Sequence, residues 1–440
     1  MQLIKLALPL MFIQLCQASL SLIDTLMAGR FHYADLAAVG LGSAVWSTIY
    51  ILLVGILYVL VPKFAKAQTL EQGQERKQLF EIAKKLAIQL ACVGTILVII
   101  AANLIGYVIS DAEVANIAIL YLWCIAFAMP ALVAMSMLRF VCEGHKKLNT
   151  IMQVSILLLT LNFAFSYVMV NGVWFIPALG GVGCGIGTVI SAYICLWYLL
   201  KQTKKVIPEL FVSKKVGRDI TFKDAVLLLK EGLPIGIALV LQILALAIIA
   251  FSAASLGSKF IAAHQIMINI AMCIVMIPLA LGSASTIQVS INKSIKNNAL
   301  RNTLIGALST FVLYSLFIII LLSVGHKTII LLFTLDKDVQ SIASSVLLYF
   351  MGFLVFDSLQ MVLGGILRGF EEFIRPLLGI VIAYWLIALP LLFVFQQGWF
   401  YELNSLAKIW QAIMVGILTA SLYLLTSLFS VYRKHQKKFN

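Results

Sequence analysis

Twelve long apolar runs set the terms on which this chain can fold. They lie at about 6–28, 36–62, 84–110, 115–138, 151–171, 180–200, 228–254, 260–288, 302–324, 343–367, 376–396 and 408–430. A helix needs about 20 mostly apolar residues to cross a bilayer. Transmembrane strands alternate in polarity and are only about 10 residues long. These runs are continuous and longer, so they are read as helices. Of the 440 residues, 62% are apolar and 11% charged, whereas a soluble chain carries about 25% charged residues. That excludes a soluble enzyme and a disordered chain. No polar stretch is long enough to form a soluble domain beside one or two anchors. The expected fold is an all-α membrane protein with twelve transmembrane helices.

The placement of the basic residues predicts orientation. One alternate set of connections includes the termini and the loops near 63–85, 139–150, 201–230, 289–301, 368–375 and 431–440. With Lys5, that set holds 27 of the 32 Lys and Arg residues; the other set holds Arg30, Lys259, Lys327, Lys337 and Lys408. Basic residues concentrate on the cytoplasmic side, so both termini are expected in the cytoplasm. The chain is expected in the cytoplasmic (inner) membrane. Topology and attraction to anionic lipid headgroups account for the net charge of +14. Nucleic-acid binding would need a soluble basic face laced with aromatics, so no nucleic-acid partner is expected. The seven cysteines lie in or beside apolar runs and form no CxxC, which indicates neither a disulfide framework nor a zinc site. The first apolar run is interrupted by Gln14, Gln17 and Asp24, so it does not read as a cleavable signal.

The two halves resemble each other. "LALPL" at Pro9 pairs with "EGLPI" at Pro234, and "LAAVG" at Ala37 pairs with "IAAHQ" at Ala262. "MLRFVCEGHKKL" around Arg139 pairs with "ILRGFEEFIRPL" around Arg368. The separations are 225, 225 and 229 residues, and three ordered matches near one separation predict an internal duplication. The expected organisation is an N-terminal six-helix bundle at 1–200, a basic cytoplasmic linker at 201–227 and a C-terminal six-helix bundle at 228–440. Six is even, so both halves enter from one side and form a parallel, pseudo-symmetric repeat of a kind seen in transporters.

Sixteen of the eighteen carboxylates are read as loop or helix-end residues, and Asp24 and Asp357 as intramembrane. A carboxylate at the bilayer centre costs about 2.5–3.5 kcal/mol on insertion scales, and the usual compensation is binding a cation or a proton. Gln14, Gln17, Ser21 and Asp24 share one helix face, as do Asp357, Gln360 and Gly364. Such polar stripes must face protein or water rather than lipid. Alternatives remain at this stage. Asp24 is also placed to pair with Arg30 near the outer interface, and Asp357 to act as a hydrogen-bond node between helices. Asn162 and Gln242 are candidates for a cavity or for plain interhelical glue, and His264 for a proton relay or a satisfied interface histidine. Trp46, Tyr50, Phe353 and Tyr384 are candidates to line a cavity for cations. The glycine run from Gly180 to Gly187 follows no strand, so it is read as close helix packing or a re-entrant bend rather than a nucleotide site. There is no Walker A sequence, HExxH, CxxCH or nucleophile elbow. The chain is expected to be no enzyme and to need no cofactor.

Several blocks carry a family resemblance. "SLIDTLMAGRFHYADLAAVGLGSAVW" resembles the first two helices of the MATE (multidrug and toxic compound extrusion) transporters. "PALGGVGCGIGTVIS", "GSKFIAAHQIMIN" and "GGILRGFEEFIRP" resemble later blocks of the NorM branch. The resemblance implies two six-helix bundles in a V-shaped arrangement. It implies secondary-active antiport of cationic, amphipathic compounds against H⁺ or Na⁺ by alternating access, in a monomer in contact with membrane lipids. It implies that Asp24 and Asn162 belong to a cation-coupling site of the first half, and Asp357 to one of the second half. These three residues are then also the ligands of a Na⁺ ion, should Na⁺ be the coupling ion. Gln17, Gln242, Phe353, Gln360, Trp46 and Tyr50 are carried as substrate or cavity residues. Two positions depart from the family pattern: Gln242 stands where a glutamate is typical, and Ser166 where a second polar or acidic ligand is expected. The second-half site is one negative charge short, which shifts the expected coupling toward Asp24. A lipid-linked precursor flippase and a non-transporting scaffold are the other classes weighed. The flippase would need a basic cavity, and no intramembrane Lys or Arg is read from the sequence.

Overall fold

A computed structural model describes residues 2–69, 73–173, 177–212, 221–293, 297–396 and 405–437, with the side chain of Ser21 left aside. Lys214, Lys215 and Arg218 of the expected basic linker lie outside the described residues. Among the described residues, twelve helices are long and apolar enough to span a bilayer. In chain order they are α1 (Leu3–Phe31), α2 (Tyr33–Ala67), α3 (Gln74–Val108), α4 (Ala112–Gly144), α5 (Leu148–Asn171) and α6 (Gly181–Val206). The second half follows with α7 (Phe222–Ala254), α8 (Ser258–Asn292), α9 (Asn298–Leu331), α10 (Leu347–Gly369), α11 (Ile374–Phe395) and α12 (Leu406–Gln436). Each expected apolar run matches one of them, with the runs 84–110, 180–200, 343–367 and 376–396 overhanging a helix end by one to four residues. Several helices run on past the apolar run into polar sequence. Hydrophobic length fixes where lipid ends, not where backbone hydrogen bonding ends.

Packing divides the chain into two compact units, Leu8–Gly236 and Ile237–Asn440, the latter joined by the segment up to Ala7. Within the first, α4 is the hub: α2, α3 and α6 pack against it, and α5 packs on α6. Within the second, α10 is the hub for α8, α9 and α12, and α11 packs on α12. The pairings repeat helix for helix, as duplicated halves must.

The ends of the two hub helices fix the register of that repeat. α4 closes with Lys146 in the left-handed region (φ 56°), and α10 with Glu371 likewise (φ 67°). The Lys147 amide donates to the Cys142 carbonyl at 2.9 Å, and the Glu372 amide to the Leu367 carbonyl at 3.0 Å. A Cβ added at Gly144 would lie 2.6 Å from Phe64 Cβ, and one at Gly369 would lie 2.7 Å from Val289 Cβ. Each of these partners is 225 residues from its counterpart. The third sequence match, set at 229 by aligning Arg139 with Arg368, is therefore one helical turn out of register. Arg139 corresponds to Gly364, and Arg368 to Glu143. A one-turn slip preserves the apolar pattern of a helix, so apolar periodicity by itself does not detect it.

The glycine run of α6 packs helices closely, with no re-entrant bend. Gly183 and Gly187 face α5: an added Cβ would lie 2.5 Å from the Met169 carbonyl carbon and 2.6 Å from the Ser166 amide nitrogen. Gly181 and Gly185 face away from α5, toward Val39 of α2 and Cys124 of α4. Two i, i+4 glycine pairs thus let α6 lie close to neighbours on separate faces. In the second unit, α11 contains a π-helical stretch, Val381–Ala388. There Trp385 Nε1 donates to the Leu241 carbonyl at 3.2 Å. Gly379 and Pro390 flank that stretch, and Pro390 has no N–H to give to its last turn.

Two expectations follow. Gly183→Val forces backbone apart at the α5–α6 contact and should cost about 1–3 kcal/mol, lowering the unfolding temperature of the purified protein. Gly40→Ala, whose added Cβ meets nothing within 4 Å, should leave it unchanged. The second concerns His145, just past α4. Its Nδ1 bonds to the Val141 carbonyl at 2.7 Å, and burial holds its imidazole below the usual histidine range. The unfolded chain takes up a proton near pH 6.5 that the folded chain resists, so stability is lost as pH falls below that value. His145→Phe, the residue type of its repeat counterpart Phe370, should shrink the loss of unfolding temperature between pH 7 and pH 5.

Candidate functional site

The close approach of α5 to α6 assembles a polar cluster around Asp24 of α1. Asp24 is 7% exposed, Asn162 2% and Ser166 fully buried. Asn162 Nδ2 donates to Thr188 Oγ1 at 3.1 Å, and Thr188 Oγ1 donates to the Cys184 carbonyl at 3.0 Å. Cys184 Sγ reaches the Asp24 backbone carbonyl at 3.6 Å. Ser166, one turn beyond Asn162 on α5, and Tyr121 of α4 both act on the Asp24 carboxylate. Two buried acceptors are left without a hydrogen-bond partner, Asp24 Oδ1 and Asn162 Oδ1. Asn162 thus spends an N–H on Thr188, and its acceptor is free. One carboxylate with neutral oxygens suits a proton or a monovalent cation. Among the described residues, no group of three or more His, Cys, Asp or Glu is placed to hold a resident metal ion.

Asp357 of α10 centres a second cluster. It is 3% exposed and acts electrostatically on Tyr384 of α11 and Tyr314 of α9. Gln242 of α7 interacts with Tyr384. The Tyr314 hydroxyl donates to the Ile274 carbonyl at 2.7 Å. Gln360 Oε1 is buried without a partner. Phe353 is turned into an aromatic group instead, 5.4 Å from Trp410 between ring centroids, with His264 also 5.4 Å from Trp410. The His264 ring is thereby packed against an aromatic face, with its Nδ1 lacking a partner.

Trp46 and Tyr50 of α2 take hydrogen-bonding roles rather than presenting bare faces. Trp46 Nε1 donates to the Tyr121 hydroxyl at 3.1 Å, and the Tyr50 hydroxyl bonds to Ser136 at 2.8 Å. Gln17 and Tyr50 line one cavity within the first unit, with about 50 Å³ of room for water. Arg30 is exposed and makes no ion pair with Asp24 among the described residues, so the interface-pair reading of Asp24 is set aside.

Two buried carboxylates escaped the sequence reading. Asp35 accepts from the Gly181 amide at 2.5 Å and so caps the start of α6. Glu143 is buried and receives Arg139 Nε at 2.7 Å. The four-residue spacing of Arg139 and Glu143 on one helix was the available signal; Asp35 had none, because its partner lies far along the chain. Arg139, read from the sequence as part of a connection, lies within a helix. α4 runs on through Gly144, placing the Arg139 side chain, 12% exposed, inside the helix beside the cavity. The ion pair with Glu143 is what permits it.

Two six-helix units, each with a buried carboxylate among unpartnered polar atoms, define a multi-pass membrane protein with polar sites at depth. A profile of the MatE family matches residues 9–168 and 234–394, most of both halves. The chain belongs to the MatE family. It is 29% identical to the "Multidrug resistance protein NorM" of Vibrio vulnificus, over 99% of this chain and 96% of that one. It is also 29% identical to the "Multidrug resistance protein MdtK" of Edwardsiella ictaluri, over 88% and 86%. The fold matches a crystal structure of MATE in complex with MaD5, with TM-score 0.84 and 18% identity over 99% and 96% of the two chains. It matches the Vibrio cholerae MATE transporter VcmN in the bent form with TM-score 0.83 and 17% identity over 99% and 97%.

The buried carboxylates should separate by role. Asp35→Ala leaves the Gly181 amide uncapped, and losing a hydrogen bond to a charged group costs about 1.5–3 kcal/mol. The unfolding temperature should fall, with transport per folded molecule unchanged. Asp35→Asn keeps an acceptor and should lose less than half as much.

Proposed function

We propose that this chain is a secondary-active exporter of several cationic, amphipathic compounds, coupled to entry of H⁺ or Na⁺ chiefly at Asp24. The observation that carries this reading is the pair of unpartnered buried acceptors, Asp24 Oδ1 and Asn162 Oδ1. Leaving buried acceptors unpaired costs about 1–3 kcal/mol each, and an arriving proton or cation repays that cost. The printed names of the NorM and MdtK relatives, multidrug resistance proteins, support the substrate class. The basic residues support placing both termini and the 201–227 linker in the cytoplasm.

Binding at Asp24 neutralises the one full charge in its cluster. An organic cation and the coupling ion then compete for the same negative charge, directly or through the state each prefers. A ligand shifts a two-state equilibrium only by its differential affinity for the states, and the change of charge at Asp24 supplies such a difference. Asp357 is the secondary site. Its cluster adds Gln242, Gln360, Tyr384 and Tyr314 but no second carboxylate, so a cation bound there is met by a single charge.

Ethidium efflux from cells expressing each variant at matched levels tests this. Asp24→Asn should lose at least tenfold in efflux rate, and Asp357→Asn should retain a measurable fraction. Wild-type efflux in both variants would refute the assignment.

A further inference from the structure

The cavity within the first unit stands apart from the Asp24 cluster, because none of Asp24, Asn162 and Ser166 lines it. Its α4 wall is Leu132, Met135, Ser136 and Arg139, and its α1 wall includes Gln17. At the repeat separation of 225, Leu132, Met135 and Arg139 correspond to Asp357, Gln360 and Gly364, and Gln17 corresponds to Gln242. The cavity therefore occupies, in its own bundle, the position that the Asp357 cluster occupies in the second. The charge is reversed. The second unit places a carboxylate there. Among the described residues that line the cavity, Arg139 is the one charged group, and there is no carboxylate.

Donors are also in excess. Ser136 Oγ donates to the Leu132 carbonyl at 2.9 Å, so Tyr50 donates to Ser136 at 2.8 Å, and both hydroxyl hydrogens are spent. The others are not. A guanidinium has five N–H donors; that of Arg139 Nε goes to Glu143 at 2.7 Å, which leaves those of the two terminal nitrogens. The charge of Arg139 reaches the Tyr50 hydroxyl on α2. Ser155 of α5 lines the cavity, is 8% exposed, and its hydroxyl has no partner among the described residues. Gln17, the one exposed residue of the lining, adds an amide. About 10–15 Å³ admits one water, so 50 Å³ takes a small ion with a little water and excludes a lipid-linked pyrophosphate.

We infer that this cavity binds one small monovalent anion, of the size and charge of chloride, through the Arg139 guanidinium, the Ser155 hydroxyl and the Gln17 amide. Hydrogen bonds from a charged donor to an anion are the strong ones, and a low-dielectric wall of Leu132, Met135 and Leu158 strengthens them further. Glu143 sets the affinity from behind. Its carboxylate fixes the direction of the guanidinium, and its negative charge opposes that of the anion. The bound anion ties α1, α4 and α5 together, and it stabilises the folded chain by mass action. The positive charge of Arg139 makes the cavity a poor place for an organic cation, so the anion and an exported cation do not compete for it. The inference does not rest on coupling at Asp24.

The unfolding temperature of the purified full-length protein, titrated with sodium chloride against sodium gluconate at fixed pH and fixed Na⁺, tests it. Gluconate is too large for the cavity and serves as the balancing anion. The wild type should show a saturable rise with chloride. Ser155→Ala removes one donor to the anion and should raise the half-effect concentration about tenfold. Ser155→Leu fills the cavity and should abolish the dependence. Glu143→Gln removes the opposing charge and should lower the half-effect concentration about threefold or more, although the protein without chloride is less stable. A purely structural role for the Arg139–Glu143 pair would lower stability in that variant without tightening its response to chloride. No saturable rise in the wild type, an unchanged response in Ser155→Ala or Ser155→Leu, or an unchanged or weaker one in Glu143→Gln, overturns the anion site.

Discussion

A carboxylate kept from water with too few donors around it is the constraint on which the first half depends. Lipid offers no hydrogen bonds, so each polar atom at depth must be met by protein, by trapped water or by an ion. The chain meets most of them. Asn162 spends its amide on Thr188, Thr188 spends its hydroxyl on Cys184, and Ser136 spends its own on the Leu132 carbonyl at 2.9 Å. Around Asp24 two acceptors, its own Oδ1 and Asn162 Oδ1, are left over. That deficit is local, because Asp35 and Glu143, buried in the same unit, both have partners.

Packing builds the cluster. Gly183 and Gly187 bring the α5 and α6 backbones into close contact beside Ser166. The glycines are therefore part of the site although none has a functional group. The second half solves the same problem differently. Its hub pair, α8 and α10, is held by Thr286 bonding to the Gly365 carbonyl at 2.8 Å and Ser290 bonding to the Gly369 carbonyl at 3.2 Å. Its carboxylate, Asp357, sits among tyrosines. The duplicated fold thus carries two unlike polar clusters, and Gln17 and Gln242, exactly 225 residues apart, are among the few polar positions the halves share.

Much of this was legible in the sequence for a simple reason. Crossing a bilayer imposes a length and a polarity on each helix, so twelve spans could be counted, and charges that lipid excludes mark their ends. Asp24, Asn162 and Asp357 stood out as polar atoms within apolar runs. What stayed hidden depends on partners distant in the chain. Asp35 looked like an ordinary helix-start residue until Gly181 was placed beside it. Arg139 looked like a loop residue because the apolar run stops before the helix does. The repeat register slipped by one turn because helical periodicity forgives such a slip. Phe353 sat on the Asp357 stripe by sequence, yet its ring belongs to the Trp410 aromatic group.

The central claim is that an organic cation and the coupling ion contend for the charge of Asp24. The most direct test is the dissociation constant of ethidium for the purified protein, measured across pH and Na⁺ concentration in wild type and in Asp24→Asn. The account expects wild-type affinity to fall as the coupling ion is raised, and the Asp24→Asn affinity to be nearly flat under the same change. Equal dependence in the two proteins would contradict it.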